Sequence, residues 1–284
     1  MKTYIDCIPC FARQAVEAAR MATDDEAIRE QIVRKTLEKA SRIPFDKNPP
    51  YMAMEIHRIV RGLVGDVDPY EKPKSLYNKK ALEYYPVMKK IVAESTDRIE
   101  SAVRLAIAGN NIDFGFRSNS DIIHLDSIIE ETRTIPFAVN HIQDFKAELD
   151  AARTILYIGD NAGEIVFDRV LIEEVRDFRE RVFFAVRGAP ILNDITRVDA
   201  DEAGLSDIVG IVDTGCDAPG VLLDMCTPSF IQLFRKADLI IAKGQGNYET
   251  LSECGRPVFF LLKAKCPVIA RDLGVETGGI VLKK

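Results

Sequence analysis

The sequence predicts an α/β protein, in which an N-terminal all-helical domain precedes a mainly parallel, doubly wound sheet. Two periodicities carry the prediction. Up to about Ser118 apolar residues recur at threes and fours with charge between them, and from residue 119 onward short, continuous, β-branched runs alternate with amphipathic stretches. A length of 284 residues with 47% hydrophobic content leaves room for both parts, so the expected domains are 1–118, helical, and 119–284, α/β.

In the first part Ile28, Ile32, Val33, Leu37 and Ala40 form one helical face. Pro44, Pro49 and Pro50 separate it from a helix carrying Met54, Ile56, Ile59, Val60 and Leu63, which stops at Gly65. After the turn at Asp68-Pro69, Tyr84, Val87, Ile91, Ile99, Val103 and Ile107 make another face. In the second part the expected strands are 154–158, 182–186, 208–212, 239–242 and 258–262. Each is continuous rather than alternating, as strands covered by helices on both faces must be.

A net charge of −6, from 44 acidic and 38 basic residues, gives no reason to expect nucleic acid or an anionic membrane as partner. No apolar run reaches the ~18 residues of a spanning helix. The start, MKTYIDCIPCFARQ, contains an acid and lacks the apolar core of a signal peptide, so a cytoplasmic location is expected. Six cysteines are too few for a disulfide scaffold.

Ligands of a doubly wound sheet bind beyond the carboxyl ends of the strands, so the residues after each strand carry the functional reading. These are GDNAGE (159–164), RGAPILND (187–194), DTGCD (213–217) and KGQGNYE (243–249). Asn161 followed by Glu164 has the form of a helix capping box, and Asp160 suits a helix start. A second acid-amide pair, Asn193 and Asp194, follows the next strand, and capping does not require polar pairs at both places. Asp160, Asn161 and Asp194 offer hard oxygen ligands suited to Mg²⁺ or Mn²⁺. A divalent ion there polarises a phosphoryl group and acidifies a bound water.

Lys243 is a point charge suited to phosphate, and Gly244 and Gly246 let backbone amides approach it. Asp217 or Glu249 is the candidate general acid or base. Attack by metal-activated water is the simplest route; Asp160 as a covalent nucleophile is the weaker one, since no D-x-D-x-T follows the first strand. Neither a Walker loop nor a G-x-G-x-x-G turn is present, which argues against a nucleotide-switch enzyme.

Taken together, the N-terminal CIPC, AIAGNNIDFG, GDNAGE, GAPILND and AKGQGNYE resemble the metal-dependent damage-control phosphatases, a group long known as a domain of unknown function, along essentially the whole chain. The CxxC places the sequence nearest that family's first subfamily. The resemblance implies a helical domain plus a Rossmann-like α/β/α three-layer domain, and phosphatase activity toward small phosphorylated metabolites supported by Mn²⁺, Ni²⁺, Co²⁺ or Mg²⁺. It matches the family's metal ligands to Asp160, Asn161 and Asp194, its loop lysine to Lys243 with Asn247 nearby, and a further pocket motif to Asn110 and Asp113.

Cys7 and Cys10 sit at a helix start with Pro9 in the first turn; packing, metal binding and redox exchange all remain open for them. His57, His124 and His141 are isolated, His57 falling in a segment that resembles the family and borders the expected cleft. Two other functions fit the same pattern. One is an S-adenosylmethionine-dependent carboxyl methyltransferase, although GDNAG is not a G-x-G-x-G loop. The other is a non-catalytic protein that binds a metal or a phosphometabolite.

Overall fold

A computed structural model describes residues 1–65, 68–110, 134–175 and 177–284. A 3₁₀ turn over Ile5–Cys7 runs into α1 (Ile8–Ala22). Asp25 caps α2 (Glu26–Ala40) by accepting from the amides of Ala27 and Ile28. Asn48 and the following prolines start α3 (Pro49–Val64), which ends at Gly65. The face running from Tyr84 to Ile107 proves to be two helices, α4 (Glu71–Glu94) and α5 (Arg98–Gly109). The chain breaks between them because Asp97 accepts from the Glu100 amide and opens a new helix.

The α/β part runs β1 (Phe137–Asn140), α6 (Ile142–Ala151), β2 (Ile155–Ile158), α7 (Glu164–Ile172), α8 (Phe178–Arg181), β3 (Val182–Val186), α9 (Arg197–Glu202), β4 (Gly210–Asp213), α10 (Pro228–Lys236), β5 (Leu239–Lys243), α11 (Gly244–Leu251), β6 (Phe259–Lys263), α12 (Pro267–Leu273) and β7 (Ile280–Lys283). They build one seven-stranded sheet in the order β1-β7-β6-β5-β2-β3-β4. β6, β5, β2, β3 and β4 are mutually parallel, and β7 joins β6 antiparallel with β1 beside it. All five expected strands are present within two residues of their expected limits. The strand order reverses between β2 and β5, which sets the switch point there.

Alternate residues of each strand feed opposite faces. Ile155, Tyr157, Ile241 and Leu261 pack with Met88 of α4, Val103 of α5, Phe145 of α6 and Phe167 of α7. Leu156, Ile158, Ile240 and Phe260 pack on the other face with Phe230 of α10, Leu251 of α11 and Ile269 of α12. Helices α1 to α3 have small cores of their own, around Phe11, Met52 and Ile56 and around Ala18, Ile32 and Val60. So α4 and α5, counted with the helical domain on sequence pattern, belong by packing to a layer of the sheet. Residue 118 itself lies outside the described residues. Among the described residues no helix is long and apolar enough to cross a membrane.

Candidate active site

The turns after β2 and β3 are laced together. The Asp160 carbonyl accepts from the Ile195 amide at 2.9 Å, the Ala162 amide donates to the Asn193 carbonyl at 2.9 Å, and Asn161 and Asp194 form an antiparallel bridge. The buried Asn78 of α4 fixes the same turn from behind, its Oδ1 accepting from the Gly163 amide at 2.7 Å. Leu192, at φ 48°, takes the left-handed conformation that turns the second segment back toward the first. These backbone contacts bring Asp160, Asn161 and Asp194 side by side at the switch point.

The three side chains form the floor of a cavity of about 850 Å³ between the sheet's rim and α1; Asn110, Glu249 and Lys265 also face it. The fully buried Arg187 ties the carboxylates together. Its Nε donates to Asp194 Oδ2 at 2.7 Å and its Nη2 lies 3.5 Å from Asp160 Oδ1. Burial raises the Asp160 carboxyl well above its ordinary range, and the neighbouring Asp194 and Glu164 charges add to this against the pull of Arg187 and Lys265. Burial also lifts Asp194, to about 6, although Arg187 holds it down.

Asn110 lines the cavity, its Nδ2 donating to Asp160 Oδ2 at 3.3 Å and Glu164 Oε2 at 3.2 Å. Gly246 lines the cavity. Gly244 sits at φ 76°, and a Cβ there would stand 1.9 Å from Asp160 Oδ2. Gly244→Ala is therefore expected to displace Asp160, costing about 1–3 kcal/mol of stability and most of whatever activity Asp160 supports. Unfolding curves and rates on the same preparation check it. Asp113 and His124 lie outside the described residues.

Lys243 corrects the sequence reading. Its side chain is fully buried, and Nζ donates to Ala106 O at 2.8 Å, Glu164 Oε1 at 2.6 Å and Asp168 Oδ1 at 2.5 Å. With three protein acceptors it is not a free cation for phosphate. The charges of Asp168 and Glu164 keep it protonated against burial. Glu164 thus serves Lys243 and not a capping box: α7 begins after Gly163 with no side-chain cap. Asn247 is likewise a strut, its Nδ2 donating to the carbonyls of Gly159 and Lys243.

Asp217 is corrected too, because it is bound by both Arg58 (2.8 Å) and Arg61 (2.5 Å) of α3 and does not face the cavity. Burial pushes its carboxyl up, but Arg58, with Arg61, outweighs that and holds it below its ordinary value, which removes it as a proton shuttle near neutrality. The pair fastens α3 over the rim instead. His57 is buried and kept neutral, with a pKa lowered to about 3 by burial and by Arg61.

Glu249 does face the cavity; burial raises it to about 7, with Gln245 Nε2 donating to Oε1 at 3.0 Å. Three participants escaped the sequence: Arg187, the first residue after β3; Asp168, one turn after Glu164; and Lys265, in the loop after β6. Lys265 is exposed, faces the cavity and acts electrostatically on Asp160. The signal for Arg187 and Lys265 was their place just beyond carboxyl strand ends.

The protein is thus an α/β protein with a Rossmann-like sheet, whose carboxylate-amide corner opens on a cavity at the switch point, where such sheets take their ligands. The family model of the damage-control phosphatase ARMT1-like domain matches residues 3–281, and the chain belongs to that family. A damage-control phosphatase from Pyrococcus horikoshii is 35% identical, covering 99% of this chain and 97% of its own. One from Archaeoglobus fulgidus is 34% identical, over 98% and 97%. A crystal structure of a DUF89 family protein from Pyrococcus horikoshii superposes with a TM-score of 0.88 at 35% identity, covering 100% of this chain and 99% of that one.

Proposed function

We propose that the chain is a divalent-metal-dependent phosphoric monoester hydrolase that clears small phosphorylated metabolites, in the damage-control manner its relatives' names describe. The observation that supports it most is the corner of Asp160, Asn161 and Asp194 at the cavity floor. The donor set fits a hard cation. Asn161 Nδ2 donates to Asp160 Oδ2 at 2.7 Å and to Glu164 Oε2 at 3.1 Å, which holds the Asn161 amide against the carboxylates with which its Oδ1 would share an ion. Among the described residues no three His, Cys, Asp or Glu side chains are grouped as a metal cage; the third donor here is an amide.

When bound, Mn²⁺, Ni²⁺, Co²⁺ or Mg²⁺ at Asp160, Asn161 and Asp194 would supply Lewis-acid polarisation of the phosphoryl group and a more acidic water. Arg187 holds Asp194 in place and keeps it ionised. Lys265 takes the part first given to Lys243, a cation facing the phosphate from the cavity wall. Glu249, buried at the same cavity, holds a proton at its carboxyl below about pH 7 and accepts one above. Asn110 fixes the rotamer of Asp160.

Glu249→Gln is expected to remove the limb of the rate profile near pH 7. Its stability effect has a defined sign. The folded pKa of about 7 lies above the ordinary 4.5, so the folded protein binds this proton more tightly, and the cost of losing it grows as pH rises from 4.5 to 7. Relative to wild type the variant should therefore gain stability between pH 4 and pH 8, by about 3 kcal/mol. Urea titrations at the two pH values measure it.

Phosphate release across a set of phosphorylated metabolites, after chelation and with each of the four ions, tests the function. No release with any ion, on protein shown to be folded, removes the proposal. Methyl transfer receives less support, since the turn after β2 is laced to Asp194 and filled by carboxylates that have no task beside a sulfonium cofactor. Calorimetry with S-adenosylmethionine tests that directly.

A further inference from the structure

The cavity's second wall is α1, and it carries chemistry that phosphate hydrolysis does not use. Cys7 and Cys10 both face the cavity from its first turn, opposite Cys266 at the start of α12. Cys7 has helical backbone angles (φ −81°, ψ −23°), as does Ile8 (φ −59°, ψ −46°), so the four residues form one helical turn. Helix geometry then places the two Cα atoms about 5 Å apart, inside the roughly 4.4–6.8 Å that a disulfide spans. The two thiols have different surroundings. Cys10 is exposed and receives a hydrogen bond from Arg13 Nη2 at 3.5 Å. Cys7 is half-buried, and burial, with the nearby Glu249, Cys266 and Cys10, pushes its thiol up.

We propose that Cys7 and Cys10 are a thiol–disulfide exchange site at the mouth of the cavity, closed by small disulfides of the alkyl disulfide class, and that closure hinders substrate entry. The second half rests on the phosphatase reading of the cavity; the first does not. The exposed Cys10 thiolate attacks one sulfur of the reagent, whose S–S bond breaks and whose leaving thiolate takes up the proton Cys10 released. Cys7 then attacks the Cys10 sulfur of the mixed disulfide, giving its proton to the second departing thiol. The protein loses two electrons and two protons, and one reagent disulfide becomes two thiols. Closure draws two side chains together on the α1 wall and leaves the carboxylate corner on the sheet untouched, so it acts on binding and not on chemistry.

The full chain is treated with bis(2-hydroxyethyl) disulfide, free thiols are alkylated, and peptides are mapped by mass spectrometry. The expected product links Cys7 to Cys10 and leaves Cys266 alkylated. A mixed disulfide that persists at Cys10, a Cys7–Cys266 link, or oxidation confined to Cys216 and Cys226, which pack together, overturns the site. Mapping decides this even on a chain that hydrolyses no phosphoester. For the gating half, the oxidised protein should show a severalfold higher KM than the reduced protein with equal kcat, restored by dithiothreitol. The oxidised-to-reduced KM ratio should fall to unity in Cys10→Ser. An unchanged KM on mapped, linked protein, or a loss of kcat instead, overturns the gating.

Discussion

Lys243→Ala is expected to lower the unfolding free energy by about 3–5 kcal/mol, the cost of leaving buried charge uncompensated. The ammonium is the only cation hydrogen-bonded to Glu164 and Asp168 among the described residues, and all three side chains are buried. Burial already lifts Asp168 to about 7 although Lys243 holds it down, and its Oδ2 has no hydrogen-bond partner among the described residues. With the lysine gone, Asp168 can remain in the core only by taking up a proton. The loss should therefore be largest at high pH and shrink toward pH 4. Exchanging all three groups at once, as Lys243→Met with Glu164→Gln and Asp168→Asn, should recover much of the stability, because an apolar and amide replacement strands no charge. Urea unfolding of both variants is the measurement. A single-variant loss below about 1 kcal/mol, the scale of an exposed pair, would show that Lys243 is not a buried counter-ion.

The error over Lys243 shows where a sequence stops being readable. Its position at the end of a strand, before glycines, was legible, and so was the convergence of strand ends at one rim. What decides its role is the strand's period of two. Leu239 and Ile241 face the α5–α7 layer, so Lys243, next in that series, points beneath the sheet's rim and meets Ala106, Glu164 and Asp168. That Asp160, Asn161 and Asp194 come side by side was legible because an acid and an amide recur just after two adjacent strands; the brace from Asn78, 85 residues away, was not. Asp217 was misread for that same reason: Arg58 and Arg61 stand more than 150 residues away along the chain. The central strands β2, β3, β5 and β6 announced themselves as continuous apolar runs because helices cover both faces, and β4, at the opposite edge from β1, carried such a run although it is partly exposed. β1, at the sheet's edge with alternate residues exposed, carries no such run, and in β7 the run is only Ile280 to Leu282. The break between α4 and α5 was hidden because the apolar spacing continues across Asp97.

Asp160→Ala is expected to cut phosphate release by roughly 10³-fold or more, the equivalent of about 4 kcal/mol of transition-state stabilisation. The same substitution should leave the fold intact, since Arg187 keeps its 2.7 Å bond to Asp194 and the turns are laced through backbone atoms. It also removes a buried carboxyl that faces two others, so the chelated variant should unfold no earlier than chelated wild type at pH 7 to 8, where the raised carboxyl costs most. That combination separates a ligand from a structural residue. Added Mn²⁺ or Ni²⁺ at a hundredfold excess over its dissociation constant should stabilise wild type by about 2.7 kcal/mol and do nothing for the variant. Asp160→Asn, which keeps the shape and loses the charge, should fall between the two in cation response. Equal rates in wild type and Asp160→Ala, or equal cation-induced shifts in their unfolding temperatures, would mean that the corner at the switch point holds no ion. The two carboxylates would then be there only to be bound by Arg187.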